Sequence, residues 1–392
     1  MKLKLENISG KSDPDALYDY IQKTTHALYG LALDKTFISS TFSPFSLELP
    51  SSILKQIESF SYDLQEALYQ LPLSKTNEHR QKFVDRIAPY PSVLMALDLH
   101  FDTTSQKVKL IEVNTNASSF LVADLLIDYE SRQKLNNQRL DDLLDSFEAS
   151  YDQWKPAHPL KSIAIIDAQP QKQFMYPEFL LYKKLFSTRG WSTVIGDITD
   201  AHRQPGKPLT VKETEVDFIY NRHTDFEFES SNSKPFLEAY LNREACFSPH
   251  PLDYIYQADK SRLVDLYGSN PDESIRQHLL SAEIYKPGDE ADKIWEKRKK
   301  LFFKPTRSHG GKGVYRGKSI SRKKFQELCE REFLYQEFCP PDTAALEEEE
   351  WKYDIRAYLF NGSVQMCAAR VFQGQVTNFS KPLSGFARID WV

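Results

Sequence analysis

The stretch LFFKPTRSHGGKGVY, residues 301–315, decides how the chain is read. An apolar run of strand character ends at Lys304. A loop with Gly310, Gly311 and Gly313 follows and carries Lys312, and Val314 and Tyr315 then resume the apolar pattern. Glycines let backbone N–H groups come close to phosphate oxygens, and lysines neutralise the charge. The spacing differs from the P-loop, which needs four residues between its glycines and a Lys-Ser/Thr pair after them. The loop therefore predicts a polyphosphate cover of another kind.

The rest of the chain narrows the choice. With 392 residues, two or three domains are expected. Hydrophobic residues make up 41% and charged residues 27%, an ordinary globular composition. The net charge of −5 argues against a nucleic-acid binder. There is no run long and apolar enough for a membrane span, and MKLKLENISGKSDPD lacks a signal-peptide apolar core, so no membrane partner and a cytoplasmic location are expected. Cys246, Cys329, Cys339 and Cys367 have no metal-type spacing and read as reduced thiols.

Residues 13–75 read as helical, from the capped segment SDPDALYDYIQKTTHALYGL through SSILKQIESFSYDLQEALYQL. From Pro89 the pattern turns strand-like. YPSVLMALDLHFD and KVKLIEVNTN form a hairpin joined by Thr-Thr-Ser-Gln. A polar helix over 131–155 and a Pro-rich link follow. KSIAIIDAQ, YPEFLLYKKLFSTRG, WSTVIGDI and VDFIYNR then read as strand, helix, strand and strand, a small α/β unit with a largely parallel sheet. DYIYQADKSRLVDLY reads as one helix, and 301–392 as strand-rich. The expected division is a helical N-terminal region (1–88), a part carrying the hairpin (89–157), an α/β substrate-binding unit (158–252) and a nucleotide-binding part (253–392).

The hairpin is the second chemical signal. With the turn centred on Ser105, opposed residues sum to 210, so Asp98 faces Glu112 and Asn114 lies further along the same face. Carboxylates directly opposite one another repel unless neutralised, and Mg²⁺ with its preference for hard oxygen ligands does that. Asp98, Glu112 and Asn114 are the metal candidates. FLYQEFCPP, 333–341, is a strand that could line a nucleotide's base pocket, with Gln336 and Glu337 on it. Two strands around the Asn361-Gly362 turn bring Asp354, Arg356 and Arg370 into one sheet. Arg370, on the apolar run CAARVF, needs an anionic partner and is the candidate contact to a phosphate or acyl phosphate. Arg356 has two readings, a catalytic cation or a structural ion pair with Asp354.

Together these motifs resemble the ATP-grasp superfamily: Lys304 with the loop 308–313, the strand YQEF, the DIR strand, Arg370, and Asp98 with Glu112-x-Asn114. The metal hairpin precedes the glycine loop, an order similar to the circularly permuted, eukaryotic-type glutathione synthetases, whose metal stretch reads like IEVNTNASSF and whose loop begins Lys-Pro-x-Arg. The resemblance runs from about residue 90 to the C-terminus. It implies an α+β ATP-grasp fold with an inserted α/β substrate domain. It implies an ATP- and Mg²⁺-dependent ligase that activates a small carboxylate as an acyl phosphate and joins it to an amine. Carried over by position, Lys260 and Lys304 contact the phosphates, and Gly310, Gly311, Lys312 and Gly313 cover them. Tyr315 contacts the nucleotide, Tyr335, Gln336, Glu337 and Phe338 line the adenine pocket, and Asp354 belongs to the same site. Ser118, Ser119, Ala168, Gln169 and Arg222 meet the substrate, Lys381 can serve it, and Gly385, Phe386 and Ala387 close over it.

Three differences stand out. Ser308 occupies the place of an acidic metal ligand, Ala96 that of a substrate arginine, and the loop TNFSKPLSGFARI is short. The alternatives are a phosphotransferase on the same fold and a non-catalytic nucleotide-binding module. The helical N-terminus offers a homodimer surface.

Overall fold

In the computed structural model, residues 3–4, 14–73, 76–127, 138–306, 313–346 and 349–392 are described. The largest sheet runs in the order Leu3–Lys4, Phe42–Leu49, Gly385–Trp391, Ser363–Phe372, Glu349–Phe360, Met95–Asp102 and Lys107–Asn114, with Asp342–Leu346 also paired to Glu349–Phe360. Its pairings are antiparallel except for Gly385–Trp391 on Phe42–Leu49, which is parallel.

Period-two alternation divides this sheet into an apolar face and a polar one. Tyr353, Ile355, Ala357 and Leu359 pack with Ile53, Ile57, Phe60 and Leu64 of the helix Ser51–Gln70. Leu97, Leu99, Phe101, Val108, Leu110 and Val113 of the hairpin join the same core. The intervening residues Asp354, Arg356 and Asp98 therefore turn to the other face.

A bulge makes the hairpin chemistry work. Near the turn Asp102 pairs with Lys107 and Leu99 with Leu110, but above it Asp98 pairs with Glu112 and Ala96 with Asn114. Ile111 is the extra residue. Strict alternation from Leu110 would send Glu112 and Asn114 into the core; one added residue reverses their direction and brings them beside Asp98. The expected Asp98–Glu112 opposition is present, and this bulge produces it.

A parallel sheet in the order Cys246–Ser248, Phe218–Asn221, Ser162–Asp167 and Ser192–Asp197 forms a second body, with helix Tyr176–Thr188 as the crossover between its last two strands. Its core is continuous with the N-terminal helix Pro14–Tyr29 and the helix Gln138–Trp154. A third sheet, antiparallel, holds Ala282–Tyr285, Phe333–Glu337, Leu301–Pro305 and Tyr315–Arg316. It has a separate small core in which Phe303, Phe325, Leu328 and Phe333 meet under helix Arg322–Cys329.

Two expectations about elements are corrected. The N-terminal region is not wholly helical, because FSPFSLEL, Phe42–Leu49, is a strand of the main sheet. The register shifts between Phe386 and Arg388, opposite the segment that holds Pro44, which cannot donate to a ladder. DYIYQADKSRLVDLY is not one helix. A single π-type turn, Tyr254–Ala258, stops at Asp259, whose side chain accepts from the Ser261 backbone N–H and caps a new helix, Lys260–Gly268.

Candidate active site

A cavity of about 760 Å³ lies between the polar face of the main sheet, the third sheet and the Lys260 helix. Asp98, Glu112, Asn114, Ser118, Lys260, Lys304, Gln336, Glu337, Phe338, Asp354, Arg356 and Arg370 all line it. Residues more than 250 positions apart in the chain thus converge on one hollow.

One end of the group is an alternating charge lattice. Arg356 donates to both Asp98 oxygens, Nε to Oδ1 at 2.8 Å and Nη2 to Oδ2 at 2.9 Å. Arg370 donates to both Asp354 oxygens, at 2.6 and 3.0 Å, and its Nη2 also lies 3.1 Å from Asp98 Oδ2. Thr377 Oγ1 donates to Asp354 Oδ2 at 2.5 Å. Burial alone would raise the Asp98 pKa, but the Arg356 and Arg370 guanidiniums outweigh it and hold the carboxyl well below the usual range. The expected Arg356–Asp354 pair is corrected: across this antiparallel register Arg356 opposes Asp98 and Arg370 opposes Asp354. Asp98, the third metal candidate, has both of its oxygens in contact with guanidinium groups.

The middle of the cavity is different. Lys304 is buried, and its Nζ donates to Gln336 Oε1 at 2.7 Å and to the Ile111 carbonyl at 3.1 Å, on the bulge residue. Burial lowers its pKa and Glu112 opposes that. Lys260 is lowered by burial too, again opposed by Glu112, and by Asp259. Two ammonium groups therefore share the field of one carboxylate, and they repel each other. An anion with several charged oxygens would relieve that repulsion. Asn114 Nδ2 lies 3.4 Å from Glu112 Oε1. Glu112 and Asn114 supply hard oxygens on one face, which fits Mg²⁺ completed by phosphate and water oxygens.

Leu280, Phe302, Leu334 and Phe338 form an apolar wall on the third sheet, with Glu337 at its rim. Tyr335 is not part of it. Alternation turns Tyr335 to the opposite face, where its hydroxyl donates to Glu283 at 2.6 Å. Tyr315, paired with Phe303, also lies outside the lining. Gly310, Gly311, Lys312 and Ser308 lie outside the described residues. Gly313 has φ +74°, and an added Cβ there would meet Pro305 Cγ at 2.9 Å, so glycine fits both conformation and space.

The expected substrate residues separate into two groups. Ser118 lines the cavity, and its carbonyl accepts from Tyr358 Oη at 2.8 Å. Ser119 and Arg222 are buried beside it. Arg222 Nη2 donates to the Asn116 carbonyl at 3.3 Å, and the buried Glu178 accepts from the Ser119 and Leu121 N–H groups at 2.8 and 3.1 Å. Ala168 and Gln169 stand after the strand Ser162–Asp167 and do not line the cavity; the Gln169 N–H donates to Asp197. Lys381 is exposed and away from it. Gly385, Phe386 and Ala387 are corrected. They are buried in the strand Gly385–Trp391, between two other strands, and form no closing loop.

Sequence reasoning missed Thr224, Phe226, Tyr254, Gln257 and the segment 375–378, which also line the cavity. Thr377 has no sequence signal. Asp259 had one, as an Asp two residues before a Ser at a helix start.

The chain aligns with the glutathione synthetase-like effector GSS30 from Globodera pallida over 98% of its length and 99% of that chain, with a TM-score of 0.51 and 12% identity. The fold is like that of this effector. A protein assigned as gamma-glutamylcysteine synthetase from Methylobacillus flagellatus matches over 84% of this chain and 85% of that one (TM-score 0.46, 12% identity). The ATP-grasp ligase PsnB in complex with a minimal precursor matches over 60% and 78% (TM-score 0.37, 12% identity). No protein-family model matches the sequence, and no curated protein does. The cavity lies where the hairpin and the small third sheet face each other. Among the described residues, no helix is long and apolar enough to cross a membrane.

Proposed function

We propose that this protein is an ATP-dependent carboxylate–amine ligase of the circularly permuted ATP-grasp type. The observation that carries the reading is the pair of lysines, half-buried Lys260 and buried Lys304, sharing one cavity with Glu112, Asn114 and Arg370. In this reading the 158–252 unit is the inserted substrate domain and the third sheet carries the lid.

The ATP phosphates lie between Lys260 and Lys304, and the adenine ring against Phe302, Leu334 and Phe338. Glu112 and Asn114 would hold Mg²⁺, which when bound would neutralise charge on the phosphate oxygens. A substrate carboxylate oxygen attacks the γ-phosphorus, the bond to ADP breaks, and an acyl phosphate forms. The amine then attacks the acyl carbon, phosphate leaves, and the nitrogen loses a proton. Arg370 faces the developing charge and exchanges part of its hold on Asp354 for the transferring phosphoryl group. Water must be kept out because it hydrolyses the acyl phosphate. Ser118 and Arg222 mark the acceptor end.

ADP release in the presence of Mg²⁺·ATP, screened over amino acids and dipeptides, tests the proposal. At least one carboxylate–amine pair should stimulate release and give an amide in equal amount. No stimulation by any pair would count against it. A second reading, nucleotide binding without turnover, has one observation in its favour: Asp98 is held by two guanidiniums. Calorimetric binding of Mg²⁺·ATP with no ADP formed would select it.

A further inference from the structure

Helix Glu78–Arg86 lies before the region that resembles a ligase, yet it reaches the cavity walls through one side chain. Arg80 is 6% exposed. Its Nε and Nη2 donate to Glu227 at 2.9 and 2.6 Å, and Nη2 also donates to Asp259 Oδ2 at 2.6 Å. Glu227 and Asp259 are 7% and 6% exposed. Each carboxylate is next in sequence to a cavity-lining residue: Glu227 follows Phe226, and Asp259 precedes Lys260. Asp259 turns its other oxygen to the Ser261 N–H at 2.9 Å and hydroxyl at 2.7 Å, which caps the helix that begins at Lys260. Arg80 is itself set by its helix start, where Asn77 Oδ1 accepts from the Arg80 N–H at 2.8 Å. The adjoining His79 ring contacts the Glu227 carbonyl at 2.6 Å.

We infer that Arg80 is a positioning residue: by holding Asp259 and Glu227 together it fixes Lys260 and Phe226 relative to each other in the cavity lining. The inference rests on the reading of Lys260 as a phosphate contact. A buried ion triad stabilises a fold poorly compared with apolar side chains of equal size. What it does well is fix direction, because a guanidinium fork matches two carboxylates at set angles. Lysine retains the charge but cannot span both acids.

The test is a double-mutant cycle read by calorimetry, with Mg²⁺·ATP and adenosine as probes. Arg80→Lys should weaken Mg²⁺·ATP binding about tenfold, within the span expected of coupled groups. It should change binding less than about twofold when Lys260 is already Met, since the effect runs through Lys260. Adenosine, which has no phosphates, should bind Arg80→Lys as it binds the unaltered protein. Equal losses in both Lys260 backgrounds, or an equal loss for adenosine, would overturn the inference and leave the ligase reading standing. Full Mg²⁺·ATP affinity in Lys260→Met would instead remove the phosphate role of Lys260, and the clamp with it. If Arg80→Lys does not fold, Arg80→Met with Glu227→Gln and Asp259→Asn removes all three charges and gives the same cycle, with asparagine still able to cap the Lys260 helix.

Discussion

Glu112 and Asp98 face each other on one hairpin, yet their surroundings give them different tasks. Asp98 is enclosed by Arg356 and Arg370, whereas Glu112 lies between two lysines at the cavity centre. Glu112→Gln should therefore lower ligase kcat/KM with Mg²⁺·ATP by about 100-fold or more, with the melting temperature nearly unchanged. Steady-state kinetics with circular-dichroism melts checks both. Asp98→Asn should behave in the opposite way. It leaves two guanidiniums short of a partner and should cost about 3–5 kcal/mol, the usual result of breaking a buried pair from one side. The pH dependence follows from the sign of its shift. The folded pKa is depressed, so the Asp98 contribution is complete above the unfolded value and is lost as pH falls through the folded one. Urea melts should show a constant difference between the unaltered protein and Asp98→Asn from about pH 5 to 8, narrowing below about pH 4. The residue types Asp98, Glu112, Asn114, Lys304 and Arg370 were legible as site chemistry from the sequence. Who pairs with whom was not, because Arg356 meets Asp98 across 258 positions of chain.

At the scale of elements, the hairpin depends on the bulge at Ile111. Deleting Ile111 should restore simple alternation with Glu112 and Asn114 still on the polar face and Val113 still in the core, and should remove the carbonyl to which Lys304 Nζ donates. Such a deletion should weaken Mg²⁺·ATP binding in calorimetry through Lys304, which loses one of its two hydrogen-bond acceptors. A turn centre can be guessed from Thr-Thr-Ser-Gln, but a bulge has no composition signal. The strand Phe42–Leu49 was hidden for a related reason: its place is set by pairing with Gly385–Trp391, more than 300 residues later. Gly385 is the tight point of that pairing. An added Cβ would meet Thr41 O and Phe42 C at 2.6 Å and Ser43 N at 2.7 Å, all backbone atoms. Gly385→Ala should destabilise the protein by about 1–3 kcal/mol, as overpacking does, measured by urea unfolding. The family position that suggested a closing loop at Gly385–Ala387 is occupied here by this interior strand.

For the whole molecule, three sheets meet at one cavity, and each supplies a different chemistry. The main sheet brings acids and arginines, the third sheet brings Lys304 and an apolar wall, and the segment after the parallel body's strand Phe218–Asn221 brings Thr224 and Phe226 to the lining, with Arg222 behind Asn116. The parallel body could be anticipated from its run of strand, helix and strands, since local periodicity carries that pattern. The clamp of helix Glu78–Arg86 on both walls could not, because it exists only once the chain has folded. The most direct measurement is a crystal structure with Mg²⁺ and a non-hydrolysable ATP analogue. The account predicts phosphate oxygens within hydrogen-bonding distance of Lys260 and Lys304, Mg²⁺ on Glu112 and Asn114, and adenine against Phe302 and Phe338. A nucleotide bound elsewhere, or bound in this cavity with its phosphates away from both lysines, would contradict it.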